Sequence, residues 1–510
     1  MPMADSSINI MDLLLFDDIT QDIDAWKVAE FSAENKCQQE ERLALENRYW
    51  GITEVTDKFN RQSVSYQLSK KDCIHGWLKY KEGFSAALVR QLLTDFNISK
   101  GDLVIDPFMG SGTTALVATL AGINSIGYDI LPMSKISITA KSNIYKYSIP
   151  ELKSVLQMFE NEELPNTYSG KSPSLSITEG AYPPKTDKQL AYYTGWFENS
   201  NFSEETKNLI KLCCLNTLER ISYCAKDGQY LRWDIRSPKM VEANKERATK
   251  GKRPIVVELN KGDLPDFKTA MIEELRKVIT DIEDIQAKNG ASEMATTTFI
   301  EGSSLFEKTQ LPSDILSACI SSPPYCNRYD YTRTYALELA YLGVNKTRFN
   351  QLRQDLLSCT VENKPKIDAI RSHYETIKRS EDFQRILDIA RHNPVLQEIN
   401  TALRQRSKWG EINNNGVLKM VNGYFTELTF LFAELYRTCK AGAKVAFVND
   451  NVRYAGEVIP VDFLTTYLAE QIGFKPLKVY TLRQQKGNSS QQMKKYGRIA
   501  LRKSITIWEK

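Results

Sequence analysis

The chain has 510 residues, 42% of them hydrophobic and 25% charged, with 67 Lys and Arg against 63 Asp and Glu for a formal net charge of +4. This is ordinary globular composition over about three domains' worth of chain, which excludes a collagen-like or wholly disordered protein. No apolar run reaches the roughly eighteen residues of a membrane span, and the near-neutral balance does not by itself point to nucleic acid.

Nine cysteines at irregular spacing, no CxxC and only three histidines, His75, His373 and His392, suit reduced thiols in a cytoplasmic protein and predict no metal site. The first fifty residues carry 11 acids and 4 bases. They lack the basic start and small-residue cleavage site of a secretory signal. They read as a helical, loosely attached segment over 1–60.

A strand over Asp102–Asp106 leads into Pro107-Phe108-Met109-Gly110-Ser111-Gly112-Thr113-Thr114 and an apolar helix, Ala115–Leu120. A second strand, Ser125–Tyr128, ends at Asp129. Strand, glycine loop, helix, strand, acid is the opening of a doubly wound α/β domain, here assigned to 61–149. The alternation stops over 150–295, which reads as polar loops and helices. It resumes over 296–344 with Thr298–Ile300 and the apolar strand Ile315–Ser321. A charged, mostly helical stretch fills 345–415, and strands at Lys444–Val448, Leu477–Leu482 and Ser504–Trp508 fall within 416–510. The pattern describes one discontinuous α/β core with two largely helical insertions, which loops of a rigid sheet tolerate.

The glycine loop lies outside the carboxyl end of a strand, where open α/β sheets bind ligands. Gly110 and Gly112 let a ligand approach the backbone, and Ser111 and Thr113 supply hydroxyls. The loop has no GKT or GKS and is not G-x-G-x-x-G, so it is not a phosphate loop. Asp106 would repel a phosphate and suits a cationic amino group. Asp129, about 20 residues after the loop, is placed to accept from ribose hydroxyls. A ligand with both a ribose and a cationic amino-acid portion is S-adenosylmethionine.

The second strand-end feature is Ser322-Pro323-Pro324-Tyr325. Two prolines end ladder pairing and stiffen the chain, leaving a hydroxyl, carbonyls without local partners and one aromatic ring. Alone, this would be a proline-rich loop.

Together, DPFMGSGTT and SPPY resemble the paired signatures of amino-methylating DNA methyltransferases. The resemblance implies a Rossmann-like, mostly parallel seven-stranded sheet with an antiparallel strand near the C-terminus. It implies S-adenosylmethionine at the first motif (Asp106, Pro107, Phe108, Gly110, Ser111, Gly112, Thr113) and the target base at Ser322, Pro323, Pro324 and Tyr325. Lys81-Glu82-Gly83-Phe84-Ser85 looks like the family's further cofactor segment, with Phe84 flanking the adenine and Ser85 beside it. The family's acid after the third strand has no clear counterpart in Glu301-Gly302-Ser303-Ser304. The serine form of SPPY implies the exocyclic N4 nitrogen of cytosine; adenine N6 is the alternative, with an RNA amino-methyltransferase and a non-catalytic scaffold further behind.

An exocyclic amino nitrogen is a poor nucleophile because its lone pair is delocalised into the ring. The chemistry therefore needs acceptors on both N–H bonds, for which Ser322 Oγ and the Pro323 carbonyl are candidates, and in-line orientation toward the methyl. Tyr325 would stack on the flipped base. The absence of a Pro-Cys nucleophile motif argues against carbon-5 methylation, and Cys319 and Cys326, with no general base evident for either, read as core and loop residues.

Local charge completes the sequence reading. Residues 207–254 hold 12 bases and 5 acids, and residues 475–510 hold 10 bases and one acid. Both clusters are candidates for phosphate contact; Gln229, Arg232 and Arg236 could read base edges and equally could bind phosphate or pack locally. Arg328, Tyr329, Arg333, Asn449 and Asp450 are expected near the mouth of the site. The 150–295 insertion is the first candidate for target recognition and the 345–415 insertion the second. Double-stranded DNA is the expected partner, with a separate restriction endonuclease or defence subunits, no membrane, and a prokaryotic cytoplasmic, nucleoid-associated location.

Overall fold

The computed structural model describes residues 37–81, 83–226, 231–255, 259–289, 295–483, 496 and 499–510. Its strands, in chain order, are β1 (Thr53–Thr56), β2 (Leu103–Asp106), β3 (Asn124–Asp129), β4 (Cys224–Lys226), β5 (Leu231–Trp233), β6 (Thr297–Glu301), β7 (Leu316–Ser321), β8 (Cys439–Asp450), β9 (Val452–Tyr454), β10 (Glu457–Ile459), β11 (Lys475–Leu482) and β12 (Lys503–Glu509). Eight form one sheet in the order β1-β11-β12-β8-β7-β2-β3-β6. β12 runs antiparallel to both its neighbours, and every other pairing in the sheet is parallel.

The expected α/β architecture with its antiparallel C-terminal strand is present. Among the described residues the sheet has eight strands where the resemblance implied seven. The additional edge strand, β1, pairs with β11 from Thr53 to Thr56. Its sequence, Thr-Glu-Val-Thr, is short and polar, so no apolar run announces it.

Alternation along the central strands separates two cores. Val104, Ala318, Ile320, Ala446 and Ile505 face one side, beneath α2 (Ala86–Asp95) and α3 (Thr113–Leu120). Ile105, Cys319, Val445, Phe447 and Trp508 face the other. That side is covered by α5 (Ile367–Thr376), α6 (Ser380–His392), α7 (Pro394–Lys408), α8 (Gly416–Thr438) and α9 (Val461–Ile472), so the 345–415 insertion builds part of the core. The 150–295 insertion contributes the helices Ile149–Asn161, Pro184–Glu198, Glu204–Ile221, Pro238–Thr249 and Phe267–Asn289, together with the small β4–β5 hairpin. Its apolar residues join those of α4 (Pro132–Ser142) in a third core.

The acidic N-terminal segment is not loose over residues 40–56; residues 1–36 lie outside those described. In α1 (Glu40–Trp50), Arg42 pairs with Glu398 at 2.8 Å and Glu457 at 2.9 Å. Glu46 receives Arg502 at 2.7 Å, and Arg502 also holds Asp462 at 2.9 Å. Arg502 is 3% exposed.

This pairing revises the reading of the basic tail. Among its described residues, Lys478 pairs with Glu54, Arg483 with Asp57, Lys503 with Asp450 and Lys510 with Asp314. In Lys478–Glu54 and Arg483–Asp57, opposite charges from near the two ends of the sequence meet in space. The polar run 484–495 lies outside the described residues.

Removing one member of a buried ion cluster leaves the others charged and unpaired, at a cost of about 3–5 kcal/mol. Arg502→Met should destabilise the protein by about that amount, read as a lowered urea midpoint at unchanged m-value. A loss below about 1 kcal/mol would mean that Glu46 and Asp462 find other partners.

Candidate active site

β2, β3, β6 and β7 are parallel neighbours whose carboxyl ends share one edge. From β2 the chain order proceeds to β3 and β6 on one side, while β7 and β8 lie on the other. This reversal at β2 is a topological switch point, which opens a crevice outside the strand ends.

Both sequence motifs meet there. Register places Ile105 opposite Cys319, which sets Asp106 beside the start of SSPPY. Ser321 Oγ donates to Asp106 Oδ1 at 2.6 Å, and Thr114 Oγ1 donates to the Ile320 carbonyl at 3.1 Å. The N–H of Phe108 also donates to Asp106 Oδ1, at 3.0 Å.

Asp129 ties the glycine loop to β3. Its Oδ2 accepts the N–H of Gly110 at 2.8 Å, and its Oδ1 accepts that of Leu131 at 2.8 Å. Gly110 has φ of 54°, and a Cβ there would meet the Tyr80 ring at 2.8 Å. Gly112 has φ of 86° and caps α3; a Cβ would meet Ile138 at 2.8 Å. Ser137 Oγ and Lys141 Nζ, both on α4, donate to the Ser111 carbonyl at 3.0 Å and hold the loop from behind. Burial pushes the Asp106 and Asp129 carboxyls up to about 6, against the lowering effect of their hydrogen bonds.

Of the expected residues, Phe84, Pro107, Phe108, Gly110, Ser111, Thr113, Asp129, Ser322 and Pro324 line one cleft. The structure does not bring the others to its wall. Asp106 is 2% exposed and lies beneath, its carboxylate engaged by Ser321 and Phe108. Ser85 caps α2 instead, accepting the N–H of Leu88 at 3.3 Å. Gly112 turns away toward Ile138, and Pro323 is buried off the cleft. Tyr325 is 3% exposed; Lys503 Nζ sits 5.1 Å from its ring centroid, and its hydroxyl is 3.0 Å from Ser322 Oγ.

The cleft includes residues that motif reading passed over. Tyr80 lies under Gly110 and stacks on Tyr335 at 4.9 Å. Ile130 and Leu131 line it directly after Asp129, and this apolar pair following a strand-end acid was a usable signal. Gly302, Ser303 and Ser304 line it after β6, whereas Glu301 stands off and lies 3.8 Å from Lys135. Asp355, Leu356 and Leu357 reach it from the 345–415 insertion; nothing in their local sequence marks them.

Other residues expected near the mouth divide. Asn449 is buried within the sheet, donating to the Phe447 carbonyl at 3.3 Å, and Asp450 lies 3.6 Å from Lys503. Tyr329 is buried, and Arg333 pairs with Asp330 and Glu362. Arg328 has φ of 68°. Arg236 folds back on Asp234 at 2.8 Å, while Gln229 lies outside the described residues. Cys319 and Cys326 are buried, with burial raising both thiols well above their ordinary range, as suits packing residues.

The donor set fits a nucleoside-bearing cation: a carboxylate at a strand end, loop hydroxyls, aromatic rings at Phe84 and Phe108, and a glycine where a Cβ would strike the cleft wall. A family model described as DNA methylase matches residues 17–137. The chain is 54% identical over 481 residues to the Type II methyltransferase M.BsoBI of Geobacillus stearothermophilus, with 94% of each chain covered. It is 35% identical over 501 residues to the Type II methyltransferase M.AvaI of Anabaena variabilis, covering 97% of this chain and 96% of that one. A stretch of 84 residues, 16% of this chain and 15% of the other, is 45% identical to the Type II methyltransferase M.MjaII of Methanocaldococcus jannaschii. Likeness along nearly the whole length, joined to two strand-end motifs meeting at one crevice, establishes that the chain belongs to the Type II DNA methyltransferases.

Proposed function

We propose that the chain transfers a methyl group from S-adenosylmethionine to the exocyclic N4 nitrogen of cytosine in double-stranded DNA, as the modification half of a restriction–modification system. The observation that carries this reading is Ser322, with its hydroxyl at the cleft, one residue beyond the Ser321 that anchors Asp106. A separate endonuclease would be its natural counterpart, and its DNA substrate would place it at the nucleoid in the cytoplasm.

Asp129 is the acceptor for the ribose hydroxyls, since each of its oxygens, though already bonded to a backbone N–H, keeps a further lone pair. Phe84 and Ile130 offer flat apolar surface for the adenine, and Ser303 and Ser304 offer hydroxyls. Asp106, held beneath the loop, supplies negative potential toward a cationic ligand. The cofactor supplies an electrophilic methyl on a sulfonium.

Ser322 Oγ accepts one amino N–H of the base and the Pro323 carbonyl the other, bending the nitrogen toward tetrahedral geometry; because Pro323 is buried off the cleft, the base must enter beyond the present wall to reach that carbonyl. Proline on both sides of that carbonyl fixes its direction before the base arrives. Such preorganisation is the main source of rate where no covalent nucleophile takes part. Tyr325 is 3% exposed, so its ring must be uncovered to receive the base; Lys503 lies over one of its faces.

Mass spectrometry of nucleosides from DNA methylated by the purified protein should detect N4-methylcytosine; N6-methyladenine without methylcytosine would overturn the base assignment. Ser322→Ala should lower kcat by roughly a hundredfold, the usual scale for losing one oriented hydrogen-bonding group, with the cofactor Kd unchanged by calorimetry. An equal rise in that Kd would mean that Ser322 binds cofactor instead.

Asp129 must be ionised to attract a cationic ligand and to accept well from ribose. Its carboxyl is raised to about 6, so protons compete with the ligand below that pH. Cofactor affinity should therefore be constant above about pH 7 and fall as pH drops through about 6, by up to tenfold per pH unit for one competing proton. Asp129→Asn should bind more weakly and keep only the part of this pH dependence that Asp106, raised to about the same value, supplies. A wild-type affinity that stays flat from pH 5 to 8 would exclude the assignment.

A further inference from the structure

α5, α6, α7 and α8 enclose a second groove, separate from the cofactor cleft, of about 570 Å³. Its wall carries Lys366, Arg391, Arg404 and Lys419, with the amides of Asn400 and Asn422 between them. Arg391, Arg404 and Lys419 are exposed, and none forms an ion pair with a carboxylate among the described residues.

Arginines elsewhere on the same helices are neutralised. Arg371 pairs with Asp368 at 3.1 Å, Arg379 with Glu434 at 2.8 Å, Arg385 with Asp382 at 3.1 Å and Arg406 with Glu457 at 2.6 Å. The acid lining the groove, Glu427, is 2% exposed and already held by Lys366 at 3.1 Å and by the N–H of Ser358 at 2.9 Å. Three cations thus converge on one concavity with no internal counter-charge, beside neutral groups that donate and accept hydrogen bonds.

The groove also abuts the active site. Ser358, bonded to Glu427 at its floor, directly follows Leu357 in the cofactor-cleft wall. Gly423, also in the groove, precedes Tyr424, which is buried in the same core as Cys326.

We propose that this groove seats the sugar–phosphate backbone of duplex DNA, with Arg391, Arg404 and Lys419 each neutralising a phosphate and Asn400 and Asn422 completing the contact. The 345–415 insertion then carries a principal DNA-docking surface. Within the 207–254 cluster of the other insertion, Lys207, Lys211, Arg220, Lys226 and Arg236 already have internal carboxylate partners. The inference rests on the chain's action on DNA and is independent of which base it methylates.

The test is fluorescence anisotropy of the full chain on a labelled 30-base-pair duplex over a range of KCl concentrations. It compares the wild type, the triple variant Arg391→Gln/Arg404→Gln/Lys419→Gln, and a second triple variant on the other insertion, Lys245→Gln/Lys252→Gln/Arg253→Gln. Each lost phosphate contact lowers the slope of log K against log[salt] by about 0.9, so the groove variant should lose roughly 2 to 3 from its slope and at least about tenfold in affinity, on any sequence. Its thermal unfolding and cofactor Kd should match wild type, since all three residues are exposed and outside the cleft. The second variant should change the slope less. Unchanged slope and affinity in the groove variant, or a larger loss in the second, would overturn the proposal. A wild type that methylates DNA while the groove variant binds it normally refutes the groove alone; a wild type that neither binds nor methylates duplex refutes the DNA reading beneath it.

Discussion

The active-site region depends on how two parallel strands end side by side. β2 finishes in Asp106 and β7 in Ser321, and the hydrogen bond between those side chains joins the cofactor motif to the base motif. A one-residue slip of β7 would turn Ser321 and the residues after it to the opposite face of the sheet. Register is protected because both faces of these strands are buried, Val104 and Ala318 on one side and Ile105 and Cys319 on the other. The α/β core therefore does more than support the site: its pairing sets the distance between the two halves of the chemistry.

Much of this was legible in sequence, for definite physical reasons. Glycines, hydroxyl residues and acids at strand ends are unusual enough together to mark a ligand loop, and the strands beside them are apolar runs bounded by breakers. What stayed hidden depended on contacts between distant segments. Asp106 was read as a wall residue because its side chain is carboxylate, yet it is a floor because Ser321 lies alongside. Tyr325 was read as an open stacking face, yet Lys503, 178 positions later in the numbering, lies against its ring. Leu356 and Leu357 enter the cleft from an insertion, with no periodicity or motif to announce them.

Charge shows the same limit in a more general form. Read along the chain, acids gather near the start and bases near the end, a distribution that suggests a polyanion-binding tail. In the fold, Glu46, Glu54 and Asp57 meet Arg502, Lys478 and Arg483. Three bases without an internal carboxylate partner among the described residues, Arg391, Arg404 and Lys419, instead line the groove of α6, α7 and α8. Which charges remain available is decided by pairing, not by local density.

The position of β12 has a consequence for the life of the molecule before it is an enzyme. Residues 503–509 lie between β8 and β11, and β11 in turn carries β1 on the sheet's edge. Arg502, just before β12, binds Glu46 on α1. On a ribosome, residues 40–56 must wait for partners that follow them by 356 residues at Arg42–Glu398 and by 456 at Glu46–Arg502. Contacts at such separation close slowly. The half-sheet that holds the cofactor loop can assemble before the outer half, which closes only once β12 has emerged and inserted between β8 and β11. Residues 53–56, on the far side of β11, are therefore among the last of the sheet to find their place.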